Sequence, residues 1–272
     1  ALVSEVTVQG GLTSAAQALE QGITVNNCSK TLVDHCTVKN VAGNGISLDK
    51  IIGPADICTQ NMILFNRIYD CGDCSIGVHN TVNNCLVYGN EITDAGSCGI
   101  DIASCQDCTF AYNTILRAQI GIRALKNLGY TNFGNVIEYN KISGISGVDP
   151  NGIKISNTCF VTVRFNELTN DGAVNSRGIY LGLSNNNAED GYVVGKDYLI
   201  YGNKIRNFDL GVVFDTLNGF VAEGDFFENT ITECTTATTG AATSTIRQKF
   251  RTYGNTLKNN TTNYGTLTSF EN

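Results

Sequence analysis

The chain has 272 residues, enough for one large domain or two small ones and for a sizeable core. With 29 glycines, 2 prolines, 16% charged residues and much Asn, Thr, Val and Ile, its composition excludes a helical bundle and points to short strands joined by tight turns. The net charge of −7 and the absence of any Lys/Arg cluster argue against a nucleic-acid backbone as partner, and no apolar run is long enough to predict a membrane span or a retained leader.

The first predicted element is a short helix over 14–21. Ser14 and Gln17 have capping-box spacing, Ala15, Ala16 and Leu19 make an apolar stripe, and Gly22 can end the helix. It reads as a cover for the open edge of a sheet.

From residue 23 onward two short patterns alternate. One is a tetrapeptide: "FNRI" at 65–68, "GNEI" at 89–92, "YNTI" at 112–115, "YNKI" at 139–142, "FNEL" at 165–168, "GNKI" at 202–205, "ENTI" at 228–231 and "GNTL" at 254–257. Its asparagines are Asn66, Asn90, Asn113, Asn140, Asn166, Asn203, Asn229 and Asn255, with Asn40 of "VKNV" expected as an earlier member. The intervals stay between 23 and 27 residues except for one of 37, between Asn166 and Asn203. The other pattern is a strand usually opened by glycine: "GISL" (45–48), "SIGV" (75–78), "GIDI" (99–102), "GIRA" (121–124), "GIKI" (152–155), "GIYL" (178–181) and "GVVF" (211–214). Its alternating apolar positions are those of a strand with one face inward.

A near-constant period marks an array of stacked units, and no helical pattern fits inside one period. The expected fold is therefore all-β, a right-handed parallel β-helix of about nine coils over 23–257 within a single domain spanning 1–272. Asparagines of successive coils would stack at roughly 4.8 Å and hydrogen-bond in a ladder, each followed by a core Ile or Leu. The long interval predicts an excursion loop at 182–197, and 258–272 reads as a C-terminal tail without a cap.

Eleven cysteines are distributed over the repeats. "CGDC" (71–74) and "CQDC" (105–108) have the look of zinc knuckles, but their separation is too long for the usual spacing. Stacking accounts for them better. Cys74 and Cys98 both precede the strand start, and Cys85 and Cys108 both lie five residues before a ladder Asn, so each pair should meet on adjacent coils as free thiols.

Aligning the glycine-opened strands turns their third position outward: Ser47, Gly77, Asp101, Arg123, Lys154, Tyr180 and Val213. Asp49, His79 and Asp215 occupy the next outward position. Four consecutive coils thus present Asp, Arg, Lys and Tyr in one column at about 4.8 Å spacing, either as a solvated strand face or as a site walled by the 182–197 excursion and the segment 125–134.

This repeat pattern resembles the right-handed parallel β-helix superfamily of pectate-lyase-like proteins, which includes polysaccharide lyases, polygalacturonases, mannuronan epimerases and phage tailspikes. The resemblance implies an extracellular or virion-surface protein with a polysaccharide partner, a homotrimer in the tailspike version, and an acidic glycan cut by β-elimination if the chain is catalytic. Carried onto the column, it implies that Arg123 offsets the uronate charge and that Lys154 acts as base beside the like charge of Arg123. Tyr180 protonates the leaving oxygen, and Asp101 orients Arg123 or helps hold a calcium ion. The epimerase motif Tyr-Gly-x-Asp-Pro-His is echoed by Ser146-Gly147-Val148-Asp149-Pro150-Asn151, with its Tyr and His replaced, so Asp149 alone carries over.

His79, Asp49 and Asp149 are then candidate substrate contacts. A glycoside hydrolase would need paired carboxylates, and Asp49 and Asp101 lie about 12 Å apart on strand geometry, so it would have to recruit Glu189 or Asp190 from the excursion or use a neighbouring subunit. The other alternative is a non-catalytic glycan-binding or spacer shaft, in which Val213 and the motif aromatics Tyr88, Tyr201 and Tyr253 pack between rods or stack on sugars.

Overall fold

The computed structural model describes residues 1–11, 21–49, 58–80, 82–126, 132–156, 158–171, 173–182, 195–215, 222–240 and 249–264. The 14–21 helix, apart from Gln21, and the interior of the 182–197 excursion lie outside these, as do Glu189 and Asp190. Among the described residues there is no helix.

Strands stack in three main columns, beside which Cys58–Thr59 and Val82–Asn83 form a separate two-stranded sheet, and their pairings are parallel. The first column is a ten-stranded sheet running from Leu2–Ser4 to Lys249–Tyr253. The second runs from Thr7–Gln9 to Thr256–Lys258 and the third from Ile23–Asn26 to Thr262–Tyr264. Long strands Glu91–Ala103 and Thr114–Leu125 turn the corner without a break and fuse the second and third columns into one sheet. Each rung contributes one strand to each column, the β-solenoid expected from the period. Paired strands extend past 23–257 at both ends, because Leu2–Ser4 pairs with Leu32–Asp34 and Thr262–Tyr264 pairs with Thr236–Gly240.

The core is a set of inward rows, one per column. Val33, Ile63, Val87, Phe110, Ile137, Val163 and Ile200 form the first, Ile68, Ile115, Ile142 and Leu168 belong to the second, and Ile76, Ile100, Ile122, Ile153 and Ile179 to the third. Each such side chain removed from water contributes roughly 1.5–3 kcal/mol.

The asparagine ladder runs unbroken from Asn66 to Asn255. In each step the lower Oδ1 accepts both the backbone N–H and the side-chain amide of the preceding asparagine, as where Asn140 Oδ1 lies 3.0 Å from both Asn113 N and Asn113 Nδ2. The step across the long interval is equally regular, with Asn203 Oδ1 3.0 Å from both Asn166 nitrogens. The excursion therefore leaves the stacking register intact. Its flanks are strands, since Arg177–Gly182 and Gly195–Tyr201 reach into the 182–197 range.

Asn40 is not a ladder member. The rung before Asn66 places Cys36 there, its backbone N–H 2.9 Å from Asn66 Oδ1, while Asn40 sits inside the strand Thr37–Val41 with φ 56°. Left-handed backbone falls on Asn40 itself but on the residue before each ladder asparagine, such as Phe65 before Asn66 and Tyr112 before Asn113, a difference the tetrapeptide pattern does not show.

A second, shorter ladder holds the predicted thiol pair. Thr31 N–H donates to Asn61 Oδ1 at 2.8 Å, Cys85 N–H to Cys108 Sγ at 3.4 Å and Cys108 N–H to Asn135 Oδ1 at 3.0 Å, so two thiols take the place of amides. Cys74 and Cys98 meet beside Ile120 in a small cluster apart from the main core. All eleven cysteines are free, and titration in denaturant is expected to count eleven thiols; fewer would reveal a bridge.

Candidate functional site

The glycine that opens a third-column strand is dictated by a close approach between rungs. A Cβ added to Gly152 would lie 2.6 Å from Gly178 O, and one on Gly178 would lie 2.5 Å from Gly211 O. Beyond that glycine the chain is extended and the side chains alternate in and out.

The outward row is Ser47, Gly77, Asp101, Arg123, Lys154, Tyr180 and Val213 in continuous register, as the alignment predicts. Asp49 and His79 are neighbours in the adjacent outward row. Val213 is not an exposed apolar residue, being only 8% accessible. The charged members divide into two clusters.

In the first cluster Asp101 is the hub and is 4% exposed. Arg123 donates to it through Nε and NH2, both at 2.8 Å, and His79 Nε2 lies 3.1 Å from Oδ2. The other ring nitrogen of His79 faces Asp49 Oδ1 at 3.5 Å, and Ser47 Oγ donates to Asp49 Oδ2 at 2.7 Å. Burial alone would raise the Asp101 carboxyl, but the hydrogen bonds from Arg123 and His79 outweigh it and hold it at about 2. Burial alone would likewise lower His79, yet the two carboxylates push it up to about 10. His79 is thus a fixed imidazolium at neutral pH and not a general base.

Both oxygens of Asp101 already accept from cations, so the donor set does not fit the calcium role expected of it. Among the described residues no group of three or more His, Cys, Asp or Glu side chains is arranged to hold a metal ion. Asp49 and Asp101 are likewise not an open carboxylate pair, because His79 lies between them.

In the second cluster Asp149 is the hub. Lys154 Nζ lies 2.5 Å from Asp149 Oδ2 and Arg177 NH1 lies 2.5 Å from Oδ1. The expected neighbour of Lys154 was the like charge of Arg123; the structure gives it a carboxylate instead, because the turn 146–150 brings Asp149 back over the strand Asn151–Ser156. Both cations also lie over the ring of Tyr180, at 5.5 Å for Lys154 and 5.0 Å for Arg177. The Tyr180 hydroxyl donates to Asp215 Oδ2, and burial together with that carboxylate raises its pKa, so it stays protonated at neutral pH.

Arg177 is the functional candidate that sequence reasoning missed. It stands immediately before the glycine of "GIYL", in register with Asn151, at the same place before the glycine that Cys98 holds before Gly99. The alignment that brought the cysteines together would have found it, had charged residues at that position been followed from rung to rung.

The chain is similar in structure to the A-module of mannuronan C-5 epimerase AlgE4 of Azotobacter vinelandii, with 12% identity and a TM-score of 0.66 over 89% of this chain and 64% of that one. The A-module of mannuronan C-5 epimerase AlgE6 of the same organism matches with 13% identity and a TM-score of 0.60, over 89% and 75% of the two chains. A point mutant of the periplasmic alginate epimerase AlgG matches with 14% identity and a TM-score of 0.57, over 86% and 47%. The chain therefore spans less than two thirds of the AlgE4 module and about half of AlgG, and at these identities the likeness is one of fold. No curated protein matches the chain by sequence. The sequence profile of the family described as "Right handed beta helix region" matches residues 2–168, well over half the chain and with the hand that the crossover preference predicts. By that match the protein belongs to the right-handed β-helix family.

Proposed function

We propose that the third-column face binds an acidic polysaccharide outside the cell or at a virion surface, and that Lys154 and Tyr180 carry β-elimination on a bound uronate. The observation that carries this reading is the Asp149 cluster, where two cations, Lys154 and Arg177, share one carboxylate on an outer sheet face. A sugar carboxylate would pair with the two cations that share Asp149, with Arg123 one rung away. The similar structures are named for mannuronan and alginate, and the same class of polymer is proposed for this chain.

In the elimination, Lys154 in its neutral form takes the C5 proton, the C4–O4 bond breaks as the C4–C5 double bond forms, and Tyr180 gives its proton to the leaving oxygen. Burial and Asp215 keep that Tyr180 proton in place until it is needed. Asp149 steadies the ammonium that Lys154 becomes, and Asp101 orients Arg123 through their two-point contact.

A panel of alginate, pectate, glycosaminoglycans and capsular polysaccharides, followed by ultraviolet absorbance of the unsaturated uronate, tests this. Absorbance should grow on at least one polymer and fall at least a hundredfold in rate in Lys154→Ala, the scale of losing a general base. No absorbance on any of them would remove the elimination step.

One observation favours a second reading, a binding module without catalysis. Arg123 and Lys154 each already face an internal carboxylate, at 2.8 Å and 2.5 Å, which preorganises cations for binding but does not free Lys154 as a base. Under it the same panel gives no absorbance, while affinity for one polymer survives in the native chain and is lost in Arg177→Ala.

A further inference from the structure

One surface of the solenoid has no part in the site described above. At the turn between the first and second columns, His35, Phe65, Tyr88, Tyr112, Tyr139, Phe165, Tyr201, Phe227 and Tyr253 form a continuous row with ring centroids 4.7–5.5 Å apart. Five of these residues hold left-handed backbone to keep their place, His35 at φ 51°, Phe65 at 54°, Tyr112 at 57°, Tyr139 at 54° and Phe165 at 55°. Bulky side chains rarely adopt that conformation. Elsewhere Gly89, Gly202, Glu228 and Gly254 take it, and the ring moves one residue back.

Tyr112 is 50% exposed, Phe65 47% and Tyr253 54%. Nine rings make a ridge about 38 Å long, presenting on the order of 700 Å² of aromatic surface. That is close to the roughly 800 Å² each partner contributes to a standard interface. A polysaccharide is a poor occupant of the near-parallel steps, because sugars stack on open ring faces and these faces cover one another: the planes of Tyr112 and Tyr139 are 12° apart, and those of Tyr201 and Phe227 are 4° apart. Phe65 against Tyr88 and Phe165 against Tyr201 meet edge to face at 81°, which breaks the ridge into short stacks. A ridge with this period meshes best with another of the same period, which a second copy of the chain supplies.

The charges beside the ridge favour the arrangement that sets the most opposite charges against each other. The flanking row reads Arg67, Glu91, Thr114, Lys141, Glu167 and Lys204 in register, all exposed. A two-fold axis through the rung of Tyr112 and Thr114, perpendicular to the solenoid, lays this row against its own reverse. Arg67 then faces Glu167 of the second copy and Glu91 faces its Lys141, with no like charges opposed. A two-fold axis along the solenoid would turn the row away from itself.

We propose that the protein forms an antiparallel two-fold dimer through this aromatic ridge, centred on Tyr112, with the third-column face left open on each copy. Ridge-to-ridge contact closes at two copies, unlike the trimer implied by the tailspike resemblance.

Sedimentation velocity and light scattering over a concentration series up to about 100 µM, well into the range of micromolar contacts, test it. The native chain should reach the mass of a dimer. Glu91→Lys opposes lysines at two symmetric places and should weaken dimerisation at least tenfold, and adding Lys141→Glu should restore it, because both changes are on exposed side chains and the pair returns to opposite sign. Circular dichroism of each variant should match the native chain. A monomer at every concentration, a trimer mass, or a dimer indifferent to Glu91→Lys would each overturn the proposal. So would a monomer whose polysaccharide affinity falls in Tyr112→Ser, which would make the ridge a sugar-binding surface.

Discussion

Asn140→Ala is expected to destabilise the solenoid by about 3–5 kcal/mol in urea or thermal unfolding, while Asn40→Ala costs about 1 kcal/mol. Asn140 is fully buried in the middle of the ladder. Its Oδ1 accepts from Asn113 N and Asn113 Nδ2 at 3.0 Å each, and its Nδ2 donates to Phe110 O at 2.9 Å and Asn166 Oδ1 at 3.0 Å. Truncation strands two donors on Asn113 and an acceptor on Phe110 where water does not reach, and each such group costs about 1–3 kcal/mol. Asn40 has a similar sequence context but sits outside the ladder with φ 56°, so alanine there meets chiefly the penalty of left-handed backbone. Equal losses at the two positions would contradict the ladder assignment.

The second large effect is a loss of stability as pH rises from about 6.5 to about 10. His79 keeps its proton in the folded chain up to about 10, whereas an unfolded histidine releases it near 6.5. Between those values the unfolded state binds fewer protons, so stability falls with rising pH; below 6.5 the contribution is complete. Its size is on the order of 3 kcal/mol, reduced from the full shift because His79 and its two carboxylates titrate together. Asp101 works in the opposite sense. Its folded value of about 2 lies below the ordinary carboxylate range, so its contribution is present above about pH 4 and is lost as pH falls toward 2. His79→Gln should remove most of the alkaline slope and lower stability at pH 6. An unchanged slope would mean that the Asp49–His79–Asp101 contacts do not hold in solution.

Much of the fold was legible because its rules are local and repeated. The second residue after each ladder asparagine is Ile or Leu because it enters the core, and the glycine that opens most third-column strands is needed where two backbones come within van der Waals contact. A period near 25 residues then admits few architectures other than a stacked coil. The outward row from Ser47 to Val213 followed from the same periodicity, since side chains alternate strictly in a strand and equivalent strands pair in register.

What stayed hidden depended on where turns lead and how long side chains bend. Cys36, not Asn40, holds the rung before Asn66 in the ladder, and only the stacking of rungs shows which of the two meets Asn66 Oδ1. Lys154, beside Arg123 in register, pairs with Asp149 because a turn folded back over its own strand. Arg177 entered the site from a row that the alignment had used only for cysteines. Sequence by itself determined the repeat, the core rows and the set of chemical groups on each face. The tertiary structure decided which charges pair, that His79 is held as a cation and that the motif aromatics form one exposed ridge. Register is a property of periodic backbone, whereas ion pairs, burial and surface continuity depend on distances between rungs that no local pattern encodes.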